Sequence, residues 1–190
     1  MLEQEENIKV VLLGDAAVGK TSIINYYFGE NEEITPTIGA ASKNKKIEFN
    51  GITYSLTVMD TAGQDAYRSV VPLYLHGANA AVIVMDVSKQ DSLESVGYWY
   101  NFINETSSDI SLVVLCCNKV DLPTRVYDTK DIDEKATELK LTYFETSAVS
   151  GIGIYKLFEY IVSKISTSPL NPDAQKNVPV VENKKQSCQC

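Results

Sequence analysis

Two hydrophobic periods trade places along this chain at regular intervals. Ile8–Leu13 is a short unbroken apolar run, as a strand covered on both faces carries. After Lys20 the spacing turns helical. Lys43–Phe49 and Ile52–Met59 flank Asn50-Gly51, a strong two-residue hairpin signal. In the second arm Ile52, Tyr54, Leu56 and Val58 alternate with Thr53, Ser55 and Thr57, which predicts one buried and one wet face. Ala80–Val87 and Leu112–Cys117 read as buried parallel strands, and Leu141–Glu145 as a weaker sixth. Helical patterns fall near Asp91–Glu105 and Asp131–Leu139. The clearest runs through Ile154, Leu157, Phe158, Ile161, Val162 and Ile165. Strands alternating with helices predict an α/β domain with a mainly parallel sheet covered on both faces.

The 190 residues fit one domain, expected over residues 1–166, followed by a Pro-, Asn-, Lys- and Gln-rich tail over 167–190. The formal charge of −8 argues against a nucleic-acid binder, which needs clustered Lys and Arg. A single phosphate-rich ligand remains compatible with it. No run reaches the ~18 apolar residues that span a bilayer. The first residues are acidic where a secretory signal would be basic and then apolar. The expectation is a cytosolic, monomeric protein unless something attaches it to a membrane. Cys116 and Cys117 lie in an apolar run and read as buried reduced thiols.

Gly14-Asp15-Ala16-Ala17-Val18-Gly19-Lys20-Thr21 matches the G-x-x-x-x-G-K-[ST] loop, between a predicted strand and a predicted helix. Backbone N–H groups from Ala16, Ala17, Val18 and Gly19 into Lys20, Thr21 and Ser22 are candidates to cradle phosphates. Lys20 would reach the outer phosphates, and the Thr21 hydroxyl would ligate magnesium. Alone the motif leaves ATP and GTP equally open.

Asn118-Lys119-Val120-Asp121 follows a buried strand, at the edge where ligands bind in such sheets. A carboxylate at Asp121 can accept from both N1–H and the 2-amino group of guanine, and adenine presents neither in that pattern. The competing reading is an ordinary turn, since Asn, Asp and Pro123 favour one. Asp60-Thr61-Ala62-Gly63-Gln64 follows the hairpin. Asp60 can hold magnesium through water, Gly63 can offer an N–H to the terminal phosphate, and Gln64 can orient an attacking water. Thr37 can add a second hydroxyl to the metal, and Thr146-Ser147-Ala148 a backbone N–H to the guanine oxygen. Each of these fragments read singly is only a polar loop.

Taken in order, the five segments resemble the Ras-like small GTPases, and more closely the Rab family. Thr37-Ile38-Gly39, Gly77-Ala78, Trp99, Leu157-Phe158 and the final Cys188-Gln189-Cys190 look Rab-like, and Gly39-Ala40-Ala41 is similar to endosomal members. The resemblance implies a six-stranded sheet, one strand antiparallel, with about five helices. It implies a slow GTP/GDP switch in vesicle traffic, with magnesium, an exchange factor, an activating protein and effectors. Cys188 and Cys190 resemble a doubly prenylated end, which implies a prenyl-transfer and escort system and the cytosolic face of endosomal or vesicular membranes; the competing readings are a redox or metal pair, or two unreactive tail thiols. The physics fits, because two lipid chains anchor stably where one does not. Lys184-Lys185 is a thin basic patch. A second hypothesis is a membrane-tethered nucleotide-binding module with little turnover. A third is a P-loop kinase or ATPase, which Asn118–Asp121 disfavours.

The chain also departs from that family. Ser42 and Met59 stand where partner-facing aromatics are usual, while Tyr74 keeps the third; strand alternation predicts that Met59 is exposed. Asp65-Ala66 replaces Glu-Arg. The Thr21–Thr37 segment is about two residues short, Glu30–Glu33 occupies the place of a base-covering aromatic, and Phe28 is the nearest candidate for that cover. Lys119 should still cover one face of guanine. Val149 replaces a lysine, and Ala16 adds a methyl group where glycine favours hydrolysis. His76 reads as solvated surface, and Trp99 as helix packing.

Overall fold

The computed structural model describes residues 6–30, 37, 40–63 and 69–167. Their elements are β1 (Glu6–Leu13), α1 (Lys20–Phe28), β2 (Ala40–Phe49), β3 (Ile52–Thr61), α2 (Val71–Leu75) and β4 (Ala80–Asp86). There follow α3 (Ser92–Thr106), β5 (Leu112–Asn118), α4 (Thr129–Leu139), β6 (Thr142–Glu145) and α5 (Ile154–Thr167). The six strands form one sheet in the order β2-β3-β1-β4-β5-β6. Only β2 and β3 pair antiparallel; β3, β1, β4, β5 and β6 run parallel.

Each central strand is apolar on both sides because both sides are covered. Ile8, Val10 and Leu12 of β1 join Val82, Val84, Val114 and Cys116 in a core closed by α1 and α5. Val11 and Leu13 join Ala81, Ile83, Met85, Leu115 and Cys117 in a second core, under α2, α3 and α4. This is the physical meaning of the unbroken apolar runs. In the first core Phe158 stacks on Tyr27 with ring centroids 4.0 Å apart. Burial pushes the Cys116 thiol up to about 12, so it stays a protonated apolar filler.

The hairpin turns at Asn50 and Gly51, both with positive φ (52° and 77°), the conformation a two-residue turn demands. Its arms are longer than the pattern predicts, with Ala40 paired to Thr61. Ile52, expected on the buried face, is exposed because the hairpin tip projects beyond the covering helices. Met59 corrects the alternation in the opposite sense. It lies beside Val11 and packs, half-buried, against the second core. The wet face of β3 becomes dry where helices reach it. The short α2, with Pro72 in its first turn, has too few residues to show a period.

The parallel strands deliver their carboxyl ends to one edge of the sheet. Residues 14–20, 60–63, 86, 118–121 and 146–148 therefore meet there, although up to about 130 positions separate them. The tail over 168–190 lies outside the described residues.

Replacing Phe158 by Ala should cost about 3–5 kcal/mol, the usual range for deleting a fully buried aromatic ring. A melting temperature lowered by roughly 10 °C in calorimetry is the expected result; an unchanged one would show that Tyr27 and Phe158 do not carry the α1–α5 contact.

Candidate functional site

The loop after β1 is shaped by backbone sterics. Gly14 has φ 141°, and a Cβ there would lie 2.2 Å from the Val84 carbonyl oxygen. Gly19 has φ 102°, and a Cβ there would lie 2.3 Å from Asn118 Nδ2. Between them Ala17 also has positive φ. Such a run of reversed dihedrals turns successive N–H groups into a concave anion-binding nest. Lys20, the first residue of α1, curls back so that Nζ donates to the carbonyls of Gly14 and Asp15, each at 2.8 Å. Burial lowers its pKa to about 8, against the pull of Asp60 and Asp15. Its ammonium is thus held over the loop by neutral carbonyls, with no carboxylate in a direct ion pair with it among the described residues.

Three residues expected at the metal meet beside it. Thr21 Oγ1 donates to Asp60 Oδ2 at 2.7 Å, Thr37 Oγ1 donates to the same oxygen at 3.0 Å, and the two hydroxyls are 3.0 Å apart. Asp60 is buried, and its Oδ1 has no hydrogen-bond partner among the described residues. An orphaned carboxylate oxygen in a buried site is costly. Two hydroxyls and a carboxylate form an all-oxygen donor set that fits a hard divalent cation such as magnesium. Gly63 approaches the phosphate-type loop so closely that a Cβ would sit 2.3 Å from the Asp15 carbonyl oxygen and 2.6 Å from the Ala16 nitrogen. Gln64 falls outside the described residues.

Asn118 links two of the loops. Its Nδ2 donates to the Val18 carbonyl at 2.9 Å, and its Oδ1 accepts from Thr146 Oγ1 at 3.1 Å. Lys119 has φ 68°, and its ammonium ion-pairs with Asp86 at 2.7 Å. Burial would raise the Asp86 carboxyl, but the bonds from Lys119 and Ser88 outweigh it and the net shift is downward. The head of Lys119 is therefore engaged by Asp86, and the expected cover of a base falls to its stem, which passes Gly19. Asp121 is exposed at the rim. Ser147 donates its own N–H to Ile152 O, so within Thr146-Ser147-Ala148 the N–H directed at no acceptor among the described residues is that of Ala148. Val149 points into solvent, 81 % exposed.

Phe28, the nearest candidate for a base cover, is partly engaged elsewhere. It sits at the end of α1, packed against the first core and edge-on to Tyr27 at 5.5 Å. Trp99 is buried in the second core, as helix packing predicts, but it also donates Nε1–H to Asp15 Oδ1 at 3.0 Å. Nothing in the linear pattern pairs residues 84 positions apart. The Asp86–Lys119 ion pair escaped the sequence for the same reason; an aspartate ending an apolar strand was its only trace.

A sequence model of the Ras family matches residues 9–167. The chain belongs to the Ras family. A putative ras-related protein Rab-5B from Dictyostelium discoideum is 37 % identical over 166 residues, covering 85 % of this chain and 76 % of that one. Ras-related protein Rab-31 from Homo sapiens is 35 % identical over 185 residues, 96 % of this chain and 94 % of its own. Ras-related protein Rab-22A from Mus musculus is 32 % identical over 168 residues. Within the family the chain is a divergent Rab of endosomal type. It is a small GTPase that binds guanine nucleotide, hydrolyses GTP and acts in membrane trafficking. Rab membership also implies regulators and effectors.

Removing the Asn118 amide from this Rab-type GTPase should loosen two loops together, since the buried Val18 carbonyl loses its donor. Asn118→Ala should release GDP at least about tenfold faster in stopped-flow measurements with a fluorescent analogue. Unchanged release would show that the link between the loops is dispensable.

Proposed function

We propose that this Rab-type GTPase holds GTP with magnesium across the strand edge and is carried to endosomal membranes by lipid on its last cysteines. The observation that supports the reading most is the convergence of Thr21, Thr37 and the half-satisfied Asp60 carboxylate next to the Lys20 loop. In this reading the N–H groups from Ala16 to Ser22 receive the phosphates, and Lys20 gains a negative partner. Thr21 and Thr37 hold the cation, with Asp60 acting directly or through water. When bound, magnesium neutralises charge developing on the phosphate oxygens.

Thr37 reaches the site from a different segment than Thr21, so its hydroxyl reports whether the terminal phosphate is present. Gly63, already against Asp15, offers its N–H to that phosphate, and Gln64 orients the attacking water. The methyl group of Ala16 crowds the same space and slows the intrinsic step. Asp121 accepts from guanine N1–H and the 2-amino group, and Ala148 donates to the 6-oxygen. Lys119 contributes its stem while Asp86 holds its head. A carboxylate left unpaired by adenine would reject ATP by about 10⁴ or more.

The domain over residues 1–166 has no helix long and apolar enough to cross a membrane among the described residues. Attachment is assigned to Cys188 and Cys190, at the end of a tail whose roughly twenty residues give reach. Each buried methylene contributes about 0.8 kcal/mol, so two chains hold where one exchanges. The cytosolic face of endosomal or vesicular membranes is the proposed location, and the endosomal-type Rab relatives support it.

The base assignment is tested by Asp121→Asn, which should lose GTP and gain xanthosine triphosphate in titration calorimetry; full retention of GTP affinity would refute it. Gln64→Leu should keep GTP and magnesium bound while single-turnover hydrolysis falls further, with and without an activating protein. Unchanged stimulated hydrolysis would place water positioning elsewhere. For the tail, Cys190→Ser should partly release the protein on fractionation, and the Cys188→Ser/Cys190→Ser pair should release it fully with nucleotide binding intact. A double variant still on membranes would point instead to a protein receptor.

A further inference from the structure

Tyr26 lies six residues beyond Lys20 on α1, about 9 Å along the helix axis. Its ring reaches across to the turn after β6. A Cβ on Gly151 would lie 1.9 Å from Tyr26 Oη, 2.2 Å from Cζ and 2.7 Å from Cε1, so the phenol fills the space where any other side chain would begin. Gly151 has φ 80°, which independently requires glycine. Tyr155 of α5 also meets the Tyr26 ring, edge-on with centroids 6.2 Å apart.

The turn that Tyr26 touches is closed by its own hydrogen bonds. Gly151 N–H donates to Ser147 O at 2.8 Å. Ser147 Oγ accepts from the N–H groups of Val149 and Ser150 at 3.2 and 3.0 Å, and Ser147 N–H goes to Ile152 O. Four N–H groups are thus committed to shaping the turn, while that of Ala148 has no acceptor among the described residues. Val149, extended into solvent, supplies no cover. The turn is held from beneath, through Gly151, by a residue on the helix that starts with Lys20 and Thr21.

We infer that Tyr26 is a positioning residue for base recognition. Its ring, seated on Gly151, fixes the height of the Ser147–Gly151 turn and so the aim of the Ala148 N–H at the guanine 6-oxygen. Because α1 also carries Lys20 and Thr21, the same contact sets the distance between the base pocket and the phosphates. The inference rests on the proposed role of Ala148 and goes beyond it, since Tyr26 itself touches no nucleotide.

The test compares release of GDP with release of 6-thioguanosine diphosphate, which keeps N1–H, the 2-amino group and the phosphates but carries sulfur, a weak acceptor, in place of the 6-oxygen. Full-length protein, Tyr26→Ala and Tyr26→Phe are measured by stopped flow, with chemical denaturation as the folding control. Tyr26→Ala should speed GDP release about tenfold, the worth of one well-placed hydrogen bond, and speed release of the analogue less than about twofold. Tyr26→Phe keeps the ring and should restore GDP release to within about twofold of the parent. Should Tyr26→Ala fail to fold, Tyr26→Leu carries the same comparison. Equal acceleration of both ligands, or parental GDP release in the truncated variant, overturns the inference. A parent protein that releases both ligands equally fast would instead strike the assignment of Ala148, and Tyr26 with it.

Discussion

The Asn118 side chain is the joint on which the edge of this sheet depends. It is almost wholly buried and bridges the Val18 carbonyl on one side and the Thr146 hydroxyl on the other. The Val18 and Thr146 loops, 128 residues apart in sequence, are thereby held at a fixed separation. The constraint spreads outward. Gly19 must be glycine because the Asn118 amide occupies the place of a Cβ, and Thr146 also meets the Cys116 thiol at 3.1 Å, tying the joint to the first core. A buried amide satisfied at both ends costs little, whereas one left open at either end would be expensive. The arrangement therefore favours all of its parts at once or none.

Around this joint the charges are set by what surrounds them. Lys20 is drawn into a cup of carbonyls and desolvated, which weakens its ammonium form. Asp60 is buried with one oxygen bonded twice and the other without a partner among the described residues. The Lys20 ammonium feels the charge of Asp60 while its hydrogen bonds go to the Gly14 and Asp15 carbonyls. In the proposed reading a nucleotide phosphate with magnesium answers both deficits. Asp86 and Lys119 form the contrasting case, a pair that satisfies itself and thereby fixes the loop at left-handed Lys119.

The motif residues were legible because their chemistry is local. The glycine spacing, the lysine and the hydroxyl of residues 14–21 sit within one turn of chain, and the fold requires only that a strand precede them and a helix follow. The order of strands and helices was likewise readable, since central parallel strands are apolar on both faces. Met59 was misjudged because the alternation rule assumes one open face, and helices close that face beside Val11. That Phe28 packs partly against the first core depends on how α1 sits on the sheet, which its neighbours in sequence do not specify.

By itself the sequence determined which groups are present and roughly where along a strand or helix each one falls: the phosphate loop, the Asn118–Asp121 segment, the Asp60–Gln64 segment and the paired terminal cysteines. Those follow from short-range sterics and from hydrophobic period, both encoded within a few neighbouring residues. Only the tertiary structure decided which groups meet. That Trp99 donates to Asp15, that Lys119 is held by Asp86, and that Tyr26 rests on Gly151 are products of sheet order and helix packing. Such contacts depend on the summed burial of two cores on either side of one sheet, an energy that no single segment carries.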